Sequence, residues 1–111
     1  MDHFTLLTDR LAETLKFYER FGLASGPRPN FRVGGAWLYA GGHPVLHVIE
    51  VDVLPESPLG VLDHMAFWGA DVVATLHSLR TAGIHYRLTR LPSPWTSWQL
   101  FFVDPNGAKV E

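Results

Sequence analysis

The sequence contains no cysteine. Disulfides are therefore excluded, and any bound metal must be held by nitrogen and oxygen donors rather than thiolates. No apolar run approaches the roughly 20 residues of a membrane-spanning helix. The start of the chain lacks a basic stretch followed by an apolar core, so a signal peptide is not expected and a cytoplasmic location is. Charge is sparse and mixed, with 9 Lys and Arg against 11 Asp and Glu, a formal net charge of -2 and no block of one sign. That balance argues against nucleic acid or a membrane surface as a partner. The 111 residues, 47% of them hydrophobic, suit one compact domain of ordinary composition. Against these absences stand six histidines, a mild excess whose positions matter.

The two halves resemble each other. Asp2-His3-Phe4 recurs 61 places later as Asp63-His64-Met65. The same offset carries Gly22-Leu23 onto Gly83-Ile84 and Trp37 onto Trp98. The second half then carries three extra residues, so that His47 pairs with Glu111 at an offset of 64. Several matches in the same order are the mark of a diverged internal repeat.

Each half reads as strand, helix and three further strands. His3–Thr8 is a short apolar strand. Asp9–Phe21 follows as a helix, with Leu11, Leu15, Tyr18 and Phe21 on its inner stripe, Thr8 or Asp9 as N-cap and Gly22 as stop. Extended stretches are expected near Leu23, at Gly35–Ala40 and at Val45–Val51. In the second half Leu62–Trp68 reads as a strand. Asp71 caps a helix that buries Val72, Val73, Leu76 and Leu79 and ends at Gly83. Ile84–Leu91, Ser97–Val103 and Ala108–Glu111 complete the set. Gly41-Gly42-His43-Pro44 and Asp104-Pro105-Asn106-Gly107 are turn sequences. The expected organisation is one domain over residues 1–111, with module 1 at 1–52, a linker at 53–60 containing Pro55 and Pro58, and module 2 at 61–111. Neither half, at about fifty residues, can bury much core alone.

Four candidate ligands occupy matching places. His3 and His64 open the first strand of each half, and His47 and Glu111 lie on the last. A pseudo-twofold relation between the halves would bring all four to one ion. Strand parity supports this arrangement: Trp98, Leu100 and Phe102 form an apolar face, whereas Ser97, Gln99 and Phe101 share the opposite one. His64, Ala66 and Trp68 likewise share a face. Trp68, Gln99 and Phe101 are therefore the expected substrate-contacting residues, with Leu38 added by the repeat. Trp37, Trp98 and Tyr39 are expected in the core against the helices, and His43, His77 and His85 as exposed or structural.

At these residues the chain resembles the vicinal oxygen chelate superfamily, which includes glyoxalase I, fosfomycin-resistance transferases, methylmalonyl-CoA epimerase, extradiol dioxygenases and bleomycin-binding proteins. The resemblance spans the whole chain. It is carried by Asp2-His3-Phe4, by Phe17-Tyr18 with Phe21-Gly22-Leu23, by Asp63-His64-Met65-Ala66-Phe67, and above all by the closing Phe102-Val103-Asp104-Pro105-Asn106-Gly107-Ala108-Lys109-Val110-Glu111. It implies an α+β fold of two βαβββ modules forming a cup-shaped mixed sheet, completed in a homodimer. It also implies metal ligation by Glu111, His64 and His3, with His47 at a variable fourth position.

Three neutral imidazoles, one carboxylate and one divalent transition metal (Fe, Mn, Ni, Co or Zn) leave a formal charge of about +1, suited to a small substrate with anionic oxygens. If His47 is a ligand, two positions of an octahedron remain and a bidentate substrate fills them. The expected chemistry is then redox-neutral, a glyoxalase-like lyase or isomerase reaction through an enediolate, with Glu111 or His47 as catalytic base. If His47 stays free, His3, His64 and Glu111 form the facial triad of an extradiol-type iron dioxygenase. The dioxygenase alternative lacks two usual partners: Phe101 stands where a tyrosine is expected, and Ser93-Pro94-Trp95 where a histidine is. A metal-free or sequestering module that binds an antibiotic or other small molecule is the third reading, and the intact quartet argues against it.

Overall fold

A computed structural model describes residues 3–57, 62–91, 93–94 and 96–111. Asp2, Trp95 and the end of the expected linker lie outside the described residues. The chain divides into two compact units, Met1–Pro58 and Leu59–Glu111. No helix among the described residues is long and apolar enough to cross a membrane.

The first unit runs β1 (Phe4–Thr8), α1 (Leu11–Glu19), β2 (Ala24–Gly26), β3 (Gly35–Ala40) and β4 (His43–Glu50). These strands form a mixed sheet in the order β1-β4-β3-β2, with β1 parallel to β4 and the other pairs antiparallel. Strand alternation sends Leu6 and Thr8 of β1, Leu38 of β3 and Leu46 and Val48 of β4 into the interior. On α1 the buried residues are Thr14, Phe17 and Tyr18; Tyr18 is inside as expected, whereas the face is rotated away from Leu11 and Leu15, which are half-buried. Thr14 tolerates burial because its hydroxyl bonds both the Arg10 carbonyl and the Thr8 hydroxyl, which ties helix to strand. The helix N-cap is Arg10 and makes no side-chain cap, contrary to the expected Thr8 or Asp9. Thr8 contributes differently, its hydroxyl accepting from the Arg10 N–H at 3.0 Å. Gly22 at φ 83° ends the helical segment as expected.

The second unit holds α2 (Val72–Thr81), β5 (Tyr86–Arg90), β6 (Trp98–Val103) and β7 (Lys109–Val110), with strand order β5-β6-β7. Asp71 caps α2 by accepting from the Ala74 N–H. Leu79 is the buried residue of α2, whereas Val73 is 73% exposed and Val72 is also exposed. The inner stripe therefore passes through half-buried Thr75 and Leu76 to Leu79. The strand expected over Leu62–Trp68 is reduced to one parallel bridge, Met65 to Val110. Backbone bonds from Met65 and Phe67 to the Lys109 and Glu111 carbonyls, and from Glu111 back to Met65, hold it in place.

The registers establish the repeat and correct one detail of it. Phe4 faces Leu46 in the first unit, and Met65 faces Val110 in the second. Leu38 faces Leu46, and Phe102 faces Val110. Ser25 faces Leu38, and Tyr86 faces Phe102. The first strand and β2 thus map onto the second half at 61 places, but β3 and β4 both map at 64. The three extra residues fall before β6, not after it, so Trp37 corresponds to Phe101 rather than to Trp98.

Candidate functional site

In the first unit β4 lies between β1 and β3, so a residue on it has neighbours on both sides. His47 pairs with Thr5 of β1 and with Trp37 of β3. His3 is two residues before Thr5 and shares its face. The result is a stack of three rings. His47 lies 3.7 Å from His3, with 21° between the planes, and 4.0 Å from Trp37, with 5° between them. A half-buried imidazole clamped between two rings has little freedom to rotate, which fixes the direction of its nitrogens.

In the second unit the final residue of the chain completes the pairing. Glu111 continues β7 and, by register, stands opposite Phe101. Its Oε2 is 2.9 Å from His64 Nε2, and its Oε1 accepts from Gln99 Nε2 at 3.0 Å. The other imidazole nitrogen of His64, Nδ1, donates to Asp63 Oδ2 at 2.7 Å. Lys109 Nζ reaches the same Asp63 oxygen at 2.6 Å. The Lys109 ammonium first, and His64 second, hold the Asp63 carboxyl below its ordinary range, so it is ionised at neutral pH. Phe101 meets the edge of the His64 ring at 5.5 Å. Lys109, Asp63, His64, Glu111 and Gln99 thus form one polar chain.

The four sequence-derived ligands are brought together as two pairs, His3 with His47 and His64 with Glu111. Among the described residues no group of three or more His, Asp or Glu side chains is gathered at metal-holding distance. The donor chemistry suits a transition metal. With Nδ1 of His64 engaged by Asp63, Nε2 is the nitrogen left for an ion, and it already faces a carboxylate oxygen.

Two expected substrate contacts are corrected. Leu38 is fully buried opposite Leu46, on the face turned away from His47. The reason is a bulge: β3 and β4 change register between Leu38 and Tyr39, so Val45 is an extra residue on β4. Without that bulge, pairing outward from the Gly41-Gly42 turn would put Leu38 on the His47 face. One inserted residue exchanges the faces and brings Trp37 there instead. Trp37 is thus the contact that the offset of 61 missed by matching Leu38 to Gln99, and its signal lies in the offset of 64 it shares with His47. Trp68 is 98% exposed and forms no wall in the second unit. Gln99 and Phe101 do lie on the face of His64 and Glu111. Trp98 is 53% exposed beneath the Arg90 guanidinium rather than in a core. Tyr39 is half-buried, its hydroxyl donating to the Pro27 carbonyl.

Comparison with known proteins gives a consistent answer. No curated protein matches the sequence. Among solved structures, a glyoxalase family protein from Bacillus anthracis superposes with a TM-score of 0.78 at 20% identity, covering 99% of this chain and 89% of that one. The trypanothione-dependent glyoxalase I of Leishmania major gives 0.72 at 22% identity, covering 99% and 82%. The fosfomycin resistance protein FosX of Listeria monocytogenes gives 0.71 at 18%, covering 99% and 86%. These identities establish a shared fold. The model of one family, described as the Glyoxalase/Bleomycin resistance protein/Dioxygenase superfamily, matches residues 1–111. Together with the registers above, this match over every residue means that the chain belongs to that superfamily.

Proposed function

We propose that the protein is a divalent-metal-dependent enzyme acting on a small oxygen-chelating substrate, with redox-neutral lyase or isomerase chemistry of the glyoxalase type. The observation that carries the reading is the contact of His64 Nε2 with Glu111 Oε2 at 2.9 Å while Asp63 occupies Nδ1. An imidazole nitrogen and a carboxylate oxygen turned toward each other, each steadied from behind, are a ligand pair awaiting a cation. His3 and His47 are the matching pair of the first unit, and the reading requires both pairs to serve one ion.

When bound, the ion would supply Lewis-acid stabilisation of negative charge developing on substrate oxygens. The chain's own groups perform the remaining work. The Glu111 carboxylate takes the proton from the carbon beside the substrate carbonyl and returns it to the neighbouring position. Gln99, donating to Glu111 Oε1, leaves Oε2, the oxygen that faces His64, as the one that would hold the ion and, on loosening from it, take the proton. Phe101 and Trp37 present flat apolar surface beside the two ligand pairs. A homodimer is part of the same reading, and analytical ultracentrifugation should give twice the chain mass.

The clamping of His47 by His3 and Trp37 specifically favours a second reading. A histidine held by stacking needs no ion to orient it, which suits an acid/base residue beside a triad of His3, His64 and Glu111. His47→Ala separates the two. A four-ligand site loses affinity for the ion, whereas the triad keeps Fe(II) and loses turnover. Oxygen uptake by the Fe(II)-loaded protein with a panel of catechols is the companion measurement. No uptake with any catechol eliminates the dioxygenase.

Elemental analysis after gentle purification or reconstitution is expected to find about one divalent ion per site. A protein that stays empty after reconstitution overturns both enzyme readings in favour of a binding module. Asp63→Ala is expected to weaken the ion by about 10–100-fold, the usual cost of losing the group behind a ligating histidine. Titration calorimetry reads this directly, and unchanged affinity would show that the Asp63 contact is incidental.

A further inference from the structure

We propose that Arg87 is the specificity-determining cation of this site, recognising a carboxylate that the substrate carries beside its chelating oxygens. This deepens the metal-dependent reading above and rests on it.

The argument is one of placement on a single face of the second unit. Arg87 on β5 is the direct cross-strand partner of Phe101 on β6, so the two side chains share a face. The guanidinium carbon lies 5.0 Å from the centre of the Phe101 ring. Phe101 in turn meets the His64 ring at 5.5 Å. Phe101 therefore touches both Arg87 and His64, and so joins a cation to the ligand pair through an apolar ring. A chelated substrate extending over Phe101 would end at the guanidinium.

Two cations occupy this face, and they differ in what they already hold. Lys109 Nζ is bound to Asp63 at 2.6 Å. Among the described residues Arg87 has no carboxylate ion-pair partner, and its guanidinium rests on the Phe101 ring. A guanidinium resting on an aromatic ring is oriented by that contact yet retains its in-plane N–H fork, whose spacing matches a carboxylate bidentately. The implied substrate class is small 2-oxo or 2-hydroxy compounds bearing a carboxylate beyond the chelating oxygens.

The test uses the Ni(II)-loaded protein and matched chelators: acetohydroxamate, and the monohydroxamates of succinic and glutaric acid, which add a carboxylate at two reaches. In the wild type, at least one carboxylate-bearing probe is expected to bind about tenfold or more tightly than acetohydroxamate, as a charge-assisted bidentate contact allows. Arg87→Met is expected to erase that gain and leave acetohydroxamate binding as it was, and Arg87→Lys to restore it in part. Thermal melting of both variants checks that they fold. If neither carboxylate probe gains over acetohydroxamate, or if the gain survives in Arg87→Met, the proposal is overturned while the metal site stands. If the protein holds no Ni(II) and binds no acetohydroxamate, the underlying reading fails and takes the proposal with it.

Discussion

Glu111→Ala is expected to lower affinity for the ion by more than a hundredfold. That exceeds the roughly 10–100-fold attributed to an outer partner such as Asp63, because on the proposed reading it removes a direct ligand and the single carboxylate charge of the donor set. Its Oε2 faces His64 and its Oε1 is engaged by Gln99, so the truncation leaves an imidazole and an amide facing a gap. Glu111→Gln keeps the shape but not the charge, and is expected to fall between the alanine variant and the wild type. Competition against a fluorescent chelator is the appropriate measurement, since it places the wild type and a variant weakened a hundredfold on one scale. Wild-type affinity in Glu111→Ala would remove the carboxylate from the site and leave a cluster of histidines without an established role.

Leu38→Ala is expected to destabilise the protein by about 2–5 kcal/mol, the range for deleting a fully buried leucine, and to leave ion affinity unchanged. Leu38 is 0% exposed and faces Leu46, equally buried. Trp37→Leu, one residue away, should show the opposite pattern. It leaves the buried face intact but removes the ring 4.0 Å from His47, whose stacking is worth about 0.5–1.5 kcal/mol. Ion affinity should therefore drop by up to about tenfold, with a smaller effect on stability. Chemical denaturation and metal titration of the same two proteins check both statements. A Leu38 variant that lost the ion and kept its stability would reverse the faces of β3.

The two variants separate because of a single bulge, and the bulge shows where sequence reading stops. Residue order alone carried the repeat, the pairing of His3 with His64 and of His47 with Glu111, and the order of the elements. In β6 it also carried the faces: Gln99 and Phe101 were readable as site-facing because that strand alternates cleanly between apolar and mixed positions. In β3 the residues Gly35-Ala36-Trp37-Leu38-Tyr39-Ala40 are apolar on both sides, so alternation gives no signal there. Only hydrogen-bond register could assign the faces, and the bulge set that register. For the same reason the three extra residues of the second half were misplaced. A tryptophan matched a tryptophan by identity, whereas strand pairing matched Trp37 to Phe101.

The spacing of the candidate ligands and the identity of the family were determined by the sequence itself, because they depend on residue types at fixed separations along the chain. Tertiary structure alone decided which side chains stand behind those ligands: Asp63 and Lys109 behind His64, Gln99 behind Glu111, Trp37 against His47 and Arg87 across Phe101. Each of these contacts, apart from that of adjacent Asp63 and His64, joins residues from different segments of a unit. Contacts of that kind follow from strand register and backbone closure, which are cooperative properties of the folded chain and leave no periodicity to read in advance.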